Sequence, residues 1–264
     1  MARVVLRENR LSVGRFSLGL ERTLRVPSEG GPYPLPPTFG QFPIRRFRRS
    51  YLVGMHAWEA LWLSFEGAAW KPNAVQVSSG GINVLTGEAQ GGPLSTNPQN
   101  YLVAPLQLWL DGFKTATSVV SQFVATPLEQ GTTVGEQLGG KGSGLEIRVM
   151  EPKAGLFPDR VPRNFNSYEF AQEGMLGLAA GGAIEQKIYP DPYGIETWDQ
   201  DSHTCVRIQV LDEAGFRERT GLSLAPSPIS AAEYIRLGYP WFRLADELKL
   251  DITATEALRS LQKI

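Results

Sequence analysis

Gly174–Leu211, GMLGLAAGGAIEQKIYPDPYGIETWDQDSHTCVRIQVL, is the segment that decides the fold class. It contains two strand-like runs, Ala183–Tyr189 and Cys205–Leu211, which are separated by a proline-punctuated acidic loop at Pro190–Ser202. Short apolar runs bounded by glycine, proline and acidic residues are typical of strands joined by turns. The segment therefore predicts a chain built mainly of short β-strands rather than of long helices.

Turn residues also separate short strand-like runs in the rest of the chain. Strand-like runs flank the sequence SSGG within Ala74–Thr86, which indicates a hairpin, and further strands are expected at Ser118–Ala125 and Leu145–Met150. The chain contains 28 glycines and 19 prolines, enough to interrupt regular elements throughout its length. Met55–Phe65 stays ambiguous, because its apolar residues fit one face of a helix while Leu61–Leu63 also fits a strand.

Short helices are predicted near the C-terminal end. Ser230 with Glu233, and Thr253 with Glu256, have the spacing of a capping box. In that motif a hydroxyl and a carboxylate satisfy the first free N–H groups of a helix. One or two helical turns are also expected before Gly221. Together with the strands, these signals predict an α+β protein that is predominantly antiparallel β, sandwich-like, with short C-terminal helices.

A proline-rich stretch at 152–162, PKAGLFPDRVP, is the clearest candidate for a boundary inside the chain. It divides a β-rich N-terminal part, residues 1–151, from a smaller α+β part, residues 163–264, in which 167–180 is expected to be helical. The alternative is that both parts pack as one domain, because the whole length is within the range of a single β-rich domain.

Composition and charge narrow the classes of partner. The formal net charge is −1 at pH 7, which gives no long-range attraction to nucleic acid or to an anionic membrane. The single cysteine, Cys205, cannot form an internal disulfide, which favours a reducing compartment. The apolar runs fall far short of the roughly 20 residues that a membrane-spanning helix needs. We therefore expect a cytoplasmic protein that binds neither nucleic acid nor membrane.

The acidic loop ends in a candidate metal-binding pattern. Asp199, Asp201, His203 and Cys205 alternate along the chain, so in an extended segment they share one face, and side chains of these types bind Zn²⁺. Full extension spreads the four over about 20 Å. A metal site formed by Asp199, Asp201 and His203 therefore needs ligands from elsewhere, such as Asp191. The alternative is an acidic loop whose aspartates cap turns, with Cys205 pointing into the core as an inert thiol.

Arg45, Arg46, Arg48 and Arg49 form the densest basic run of the sequence. Guanidinium groups suit carboxylates and phosphates, so the run predicts a site that binds an anion or an acidic partner. Phe47 is interleaved with the arginines, as in proteins that stack nucleic-acid bases, but the net charge and the absence of a nucleic-acid fold signature argue against that class. The alternative is a solvated or salt-bridged edge.

No combination of residues predicts catalysis. Gly135–Ser143 nearly matches a phosphate-binding loop, but Gly142 stands where that loop needs a hydroxyl for Mg²⁺. His56 and Glu59 are three residues apart, and without a second histidine such a pair is more often structural. Because nucleophile, base and oxyanion donors are not found together, we predict no catalytic residue and no cofactor.

Six stretches carry a resemblance that spans nearly the whole chain: RTLRVPSEGGPYPLPPTFGQFPIRR, EALWLSF, WLDGF, SQFVATPLEQGTTVGEQL, GLAAGGAIEQKIYPDPYGIETWD and SPISAAEYIRLGYPWF. In this order they resemble a family of uncharacterised proteins found in many bacteria and in fungi, where some members lie beside a ubiquitin-like segment. The resemblance implies a self-contained unit and a role in protein interactions. It implies no activity, cofactor or catalytic residue.

These observations predict a non-catalytic protein that acts through protein interactions or as a structural, self-assembling component. A homo-oligomer is expected, because many short strands leave sheet edges that another copy can cover. The alternative is a metal-assisted enzyme or a protein that binds a small ligand or a carbohydrate, for which some of the six tryptophans would have to be exposed.

Overall fold

Two β-sheets and a few short helices make up the protein. The computed structural model describes residues 3–162, 180, 182–239, 241 and 250–264. The first sheet has eight strands and the second has seven. The predicted class, α+β with predominantly antiparallel strands in a sandwich-like arrangement, is confirmed.

The first sheet contains β1 (Val4–Arg7), β2 (Arg10–Val13), β3 (Phe16–Thr23), β6 (Ala60–Glu66), β10 (Trp109–Leu110), β11 (Gly112–Ala116), β12 (Val119–Val124) and β14 (Ala183–Glu185). Its order is β1-β2-β3-β6-β12-β11, with β10 beside β6 and β14 beside β12. The second sheet contains β4 (Ile44–Phe47), β5 (Ser50–Gly54), β7 (Asn73–Ser79), β8 (Ile82–Asn83), β9 (Leu102–Ala104), β13 (Leu145–Met150) and β15 (Thr204–Leu211). Its order is β4-β5-β15-β13-β7-β8, with β9 beside β7. The pair β5–β15 is parallel.

Alternate residues of the strands face the core. In β13, Leu145, Ile147 and Val149 are buried, whereas Glu146 and Arg148 between them are only half-buried. The buried set belongs to one large apolar cluster that draws on both sheets and on the C-terminal helices. The outer face of the second sheet is therefore polar around β13 and β15, and this is the face on which the candidate site lies.

The ambiguous segment at 55–65 is a strand where it is regular. Residues Ala60 to Phe65 of β6, an inner strand between β3 and β12, are all buried, so both faces of this strand are covered. A strand covered on both faces shows no polar alternation, which explains the helix-like pattern of its sequence. The predicted hairpin at 74–86 is confirmed as β7 and β8, with Gly80 and Gly81 at positive φ in the turn.

The short helices are α1 (Val134–Gln137), α2 (Glu213–Thr220), α3 (Ala231–Arg236) and α4 (Glu256–Arg259). The helix expected before Gly221 is confirmed as α2, which ends where Gly221 adopts a φ of 73° in the left-handed region. The predicted capping box of α3 is confirmed for its hydroxyl, because Ser230 Oγ accepts a hydrogen bond from Glu233 N at 3.1 Å, whereas the Glu233 carboxylate accepts from Arg236 instead of from the cap.

Two caps differ from the sequence prediction. The cap predicted at Thr253 is wrong, because α4 begins after Thr255, whose hydroxyl donates to the carbonyl of Thr86 instead of capping the helix. A capping box formed by Thr133 and Glu136 opens α1 in the glycine-rich region and was not predicted. The helix expected at 167–180 falls, apart from its last residue, outside the described residues.

Three buried glutamines bond segments outside the sheets in the way that strand residues do, and a fourth, Gln186, makes the same pair of bonds to Trp109 O and Asp111 N. Gln122 Oε1 accepts from Val26 N at 2.9 Å, and its Nε2 donates to Leu24 O at 3.1 Å. Each carboxamide bonds the carbonyl of one residue and the amide of the second residue after it, which is the pattern that a parallel neighbouring strand makes. Gln99 and Gln107 bond the extended segment 187–191 in the same way. The three side chains thereby attach segments that lack a strand partner of their own.

Both sides of the proposed boundary at 152–162 contribute to the sheets. β14 pairs with β12, and β15 lies between β5 and β13. The large apolar cluster likewise contains residues from each side. The division into residues 1–151 and 163–264 stays a prediction about which segments can fold alone.

Candidate functional site

The basic run lies on the hairpin formed by β4 and β5, at one edge of the second sheet. Phe47 pairs with Ser50, so Arg48 and Arg49 make a two-residue turn between the strands. Arg48 has a φ of 53°, which is uncommon for a residue other than glycine. All four arginines of the run are exposed, and the structure therefore brings them together at the surface.

The period of the strand divides these arginines between two faces. Arg45 and Phe47 lie on the outer face of the sheet, whereas Arg46 lies on the face that carries the buried Ile44. Arg46 is thus directed away from Phe47 although it is only one residue distant. A substitution at Arg46 changes the charge of the hairpin without changing its outer face, which makes it a matched control.

Two guanidinium groups lie over the ring of Phe47. Arg48 Cζ is 5.3 Å from the ring centroid, and Arg219 Cζ of α2 is 5.9 Å from it, within the range of a cation–π contact. Arg219 was not predicted, because it is far from the basic run in the sequence. We call Arg45, Arg48 and Arg219 around Phe47 the arginine surface.

Close packing of α2 against β5 places Arg219. Phe216 is the buried residue of α2, and it packs on Gly54, where an added Cβ would lie 2.6 Å from Phe216 Cγ. The absence of a side chain at Gly54 therefore lets the helix approach the strand. In this position, Arg219 Nη1 donates to Gln209 Oε1 at 3.0 Å, which directs the guanidinium toward the hairpin.

The charge of the arginine surface is not compensated locally. Among the described residues, no carboxylate lies within ion-pair distance of Arg45, Arg48 or Arg219. The free edge of β4 is partly closed, since Ile44 N donates to Asn9 Oδ1 and Ile44 O accepts from Arg45 Nη1. What this edge offers to a partner is therefore charged side chains rather than a row of free backbone groups.

A cleft of about 200 Å³ opens beside the hairpin. Ser50 and Gln209 lie on its wall next to the arginine surface, and Lys141, Glu146 and Arg207 line the rest. Arg207 Nε donates to Glu146 Oε2 at 2.8 Å, while the Arg207 side chain remains 66% exposed. We call this space the hairpin cleft.

The acidic loop at 190–202 is held by Asp191. Tyr101 Oη and Trp198 Nε1 both donate to Asp191 Oδ2, at 2.5 and 2.8 Å, and Tyr193 N donates to Oδ1 at 2.8 Å. Burial, together with the Asp191 carboxylate, raises the pKa of the Tyr101 hydroxyl, which stays protonated as the donor. Asp191 thus accepts three hydrogen bonds, two of them from donors within the loop, and serves to order it.

The three candidate metal ligands do not converge. Asp199 Oδ1 accepts from Ser202 N at 3.3 Å in a turn, Asp201 is exposed, and His203 Nε2 lies 3.4 Å from Arg148 Nη2. Within the described ranges, no group of three or more His, Cys, Asp or Glu side chains is placed to hold an ion. The guanidinium beside His203 also disfavours a cation at that position.

A second, more open cleft of about 420 Å³ lies beside the acidic loop. Arg148 and Lys153 line it together with Asp199 and Asp201, while Trp198 is almost fully buried in its wall. Arg148 Nη1 is already bonded to the carboxamide of Gln76 and to the carbonyl of Gly92. The cleft is polar and of mixed charge, and its tryptophan presents no exposed ring.

The prediction that Cys205 points into the core is wrong. The core set of β15 consists of Thr204, Val206 and Ile208, so Cys205 lies on the outer face and is half-buried. Burial and the negative charge of Glu146 raise the pKa of the thiol to about 11. The expected inertness therefore rests on protonation of the thiol rather than on a core position.

Other charged groups that could suggest chemistry are engaged in structural contacts. Glu59 Oε2 accepts from His56 N at 2.9 Å, and its Oε1 accepts from Arg22 Nε at 2.9 Å. Lys114 Nζ lies 2.7 Å from both carboxylate oxygens of Asp251 and is fully buried. These pairs tie loops to the first sheet.

No protein-family model, curated protein or solved structure matches the chain. The resemblance seen in the sequence therefore stays an expectation. In the part of the chain that the structure describes, no helix is both long and apolar enough to cross a membrane.

Proposed function

We propose that the protein is a non-catalytic interaction protein that binds an acidic partner on the arginine surface. The observation that carries the proposal is the placement of Arg48 and Arg219 over the ring of Phe47, beside Arg45 on the same face of β4, with no carboxylate paired to any of the three among the described residues. Exposed arginines offer planar, multidentate donors to carboxylates. An acidic partner would supply the counter-charges that the chain itself does not bring to this surface.

The same geometry disfavours nucleic acid as the partner. Stacking of bases needs open aromatic faces, but guanidinium groups already lie over Phe47, and Tyr51 is only 7% exposed. The net charge of −1 gives no extended positive field to follow a phosphate backbone. A short acidic protein segment is the partner that a local, three-arginine surface fits.

A labelled decaglutamate peptide tests this proposal by fluorescence anisotropy at low and high salt. We expect binding that weakens with salt, because exposed charges are screened. Arg45→Glu should weaken it by about tenfold, since reversal of an exposed charge removes one attraction and adds one repulsion. Arg46→Glu, on the opposite face, should change it less than about twofold. Equal effects of the two substitutions, or tighter binding of a deoxythymidine decamer, would count against the proposal.

Self-assembly and a cytoplasmic location belong to the same proposal. β1 lies at the edge of the first sheet, and Val5 within it is 36% exposed, so a second copy can cover that edge. Light scattering should give a mass above the 29.0 kDa of one chain. A mass of one chain that stays constant over a tenfold rise in concentration would exclude a homo-oligomer. The cytoplasmic location is supported by the single thiol.

The open cleft beside the acidic loop favours a second candidate, binding of a small polar ligand. Because Asp199, Asp201 and His203 do not converge, we expect no change of melting temperature with Zn²⁺, Ca²⁺ or Mn²⁺. An ion bound only by the folded protein at a hundredfold excess over Kd would add about 2.7 kcal/mol of stability. A shift of that size that is lost in Asp201→Ala with His203→Ala would restore the metal-site alternative.

A further inference from the structure

We infer that the acidic partner binds as an extended segment that crosses the outer face of the second sheet, from the arginine surface into the hairpin cleft. This inference rests on the proposed function and adds the path, the length and two further contact residues, Lys141 and Arg207. It follows from three observations: the continuity of the two sites, the free donors inside the cleft and the register of the strands.

The arginine surface and the hairpin cleft share a wall. Gln209 lines the cleft and at the same time accepts a hydrogen bond from Arg219 Nη1 at 3.0 Å. Ser50 lines the cleft and is the strand partner of Phe47 in the hairpin. A chain that contacts Phe47 and Arg219 therefore meets the mouth of the cleft within one strand spacing.

The cleft contains donors that the protein does not use. Glu146 occupies only Nε of Arg207, so neither Nη atom has a partner among the described residues, and the side chain is 66% exposed. Lys141 is exposed on the opposite side of the cleft and has no acidic partner within the described part of the chain. Among the described residues, Glu146 is the one carboxylate that lines this cleft, and Arg207 neutralises its charge.

The register of the strands gives the length of the path. Phe47 on β4 is opposite Ser50 on β5. The next residue of β5, Tyr51, pairs with Ile208 on β15, so Ser50 is level with Arg207. Arg207 in turn is opposite Glu146 on β13. The row from Phe47 to Glu146 thus crosses β4, β5, β15 and β13, which is about 14 Å at roughly 4.8 Å per strand. An extended chain covers that distance with about four to five residues. Two residues, about 7 Å long, reach from Phe47 only to β5, whereas six span the whole row.

The test uses capped diglutamate and hexaglutamate peptides, titrated into the full chain and its variants by isothermal calorimetry or anisotropy competition. Arg207→Gln and Lys141→Gln should each weaken hexaglutamate by about threefold, the size expected for one exposed charge pair, and should leave diglutamate unchanged. Arg46→Gln is the matched control and should affect neither peptide. Because all three positions are exposed, equal melting temperatures will show that the variants remain folded.

A fourth variant is expected to change the affinity for hexaglutamate in the opposite direction. Glu146→Gln removes the carboxylate from the cleft and releases Arg207 Nε, so it should tighten hexaglutamate by about threefold. A merely structural role of the Arg207–Glu146 pair would give weaker binding in this variant, and that result would overturn the inference. Loss of binding in Arg45→Gln with no effect of Arg207→Gln would also overturn it while leaving the proposed function intact. Failure of the wild type to bind either peptide would overturn both.

Discussion

Replacing Gln122 with methionine tests whether its carboxamide holds the segment 24–26 in place of a strand. Gln122 is fully buried, and so are Val26 and Leu24, whose backbone groups it bonds at 2.9 and 3.1 Å. Methionine has nearly the same volume, so the cavity term is small. The variant leaves one buried N–H and one buried C=O without these partners, each at a cost of about 1–3 kcal/mol.

The sum predicts a loss of about 2–6 kcal/mol of unfolding free energy, a large fraction of the about 5–15 kcal/mol that a native protein has. Urea unfolding, followed by tryptophan fluorescence, measures this loss as a lower midpoint at unchanged slope. Gln90→Met, at an exposed glutamine, is the control and should stay within about 0.5 kcal/mol of wild type. If Gln122→Met stayed equally close, the strand-like role of the carboxamide would be refuted.

Three further outcomes follow from buried or half-buried ionisable groups. Lys114→Met should cost about 3–5 kcal/mol in urea unfolding, because it leaves the Asp251 carboxylate without its cation. Burial raises the pKa of Asp111 well above its usual value. The native protein should therefore lose stability as pH rises above about 4, because this carboxyl ionises more readily in the unfolded chain. Asp111→Asn should remove this loss, so the stability of the variant relative to wild type, measured by unfolding at pH 3 to 8, should grow with pH. Cys205 in the native protein should react slowly with a thiol reagent at pH 7.5 and faster up to pH 10, because its thiol has a pKa of about 11; rapid labelling at pH 7.5 would contradict this.

Signals that are local in sequence predicted local structure well. The hairpin at 74–86, the cap at Ser230 and the left-handed end of α2 at Gly221 depend on neighbouring residues only, and all three are confirmed. The cap near the C-terminus was misplaced because Thr253, and not Thr255, has a glutamate three residues further on, which is the spacing of a capping box. A tertiary contact decided between them, since the hydroxyl of Thr255 bonds the carbonyl of Thr86.

The candidate site could be predicted only in part. The basic run is contiguous, and the sequence identified Arg45 directly. Arg219 and Arg207 join it through the docking of α2 at Gly54 and through the parallel pairing of β15 with β5, neither of which has a local signal. Cys205 was predicted to face the core because cysteine is commonly buried. In β15, however, Thr204 and the alternate residues after it face the core, which places Cys205 on the outer face.

The parallel pairing of β5 with β15 also determines at what stage of synthesis and folding the arginine surface can form. Tyr51 pairs with Ile208, and Leu52 pairs with Gln209, although more than half of the chain separates the partners in sequence. Contacts of such long range form late, since the entropy of closing the loop opposes them until much of the structure is in place. A ribosome adds roughly 5–20 residues each second, so the hairpin arginines emerge many seconds before Arg219. A nascent chain therefore exposes the basic run, but it cannot present the assembled surface until synthesis has passed α2.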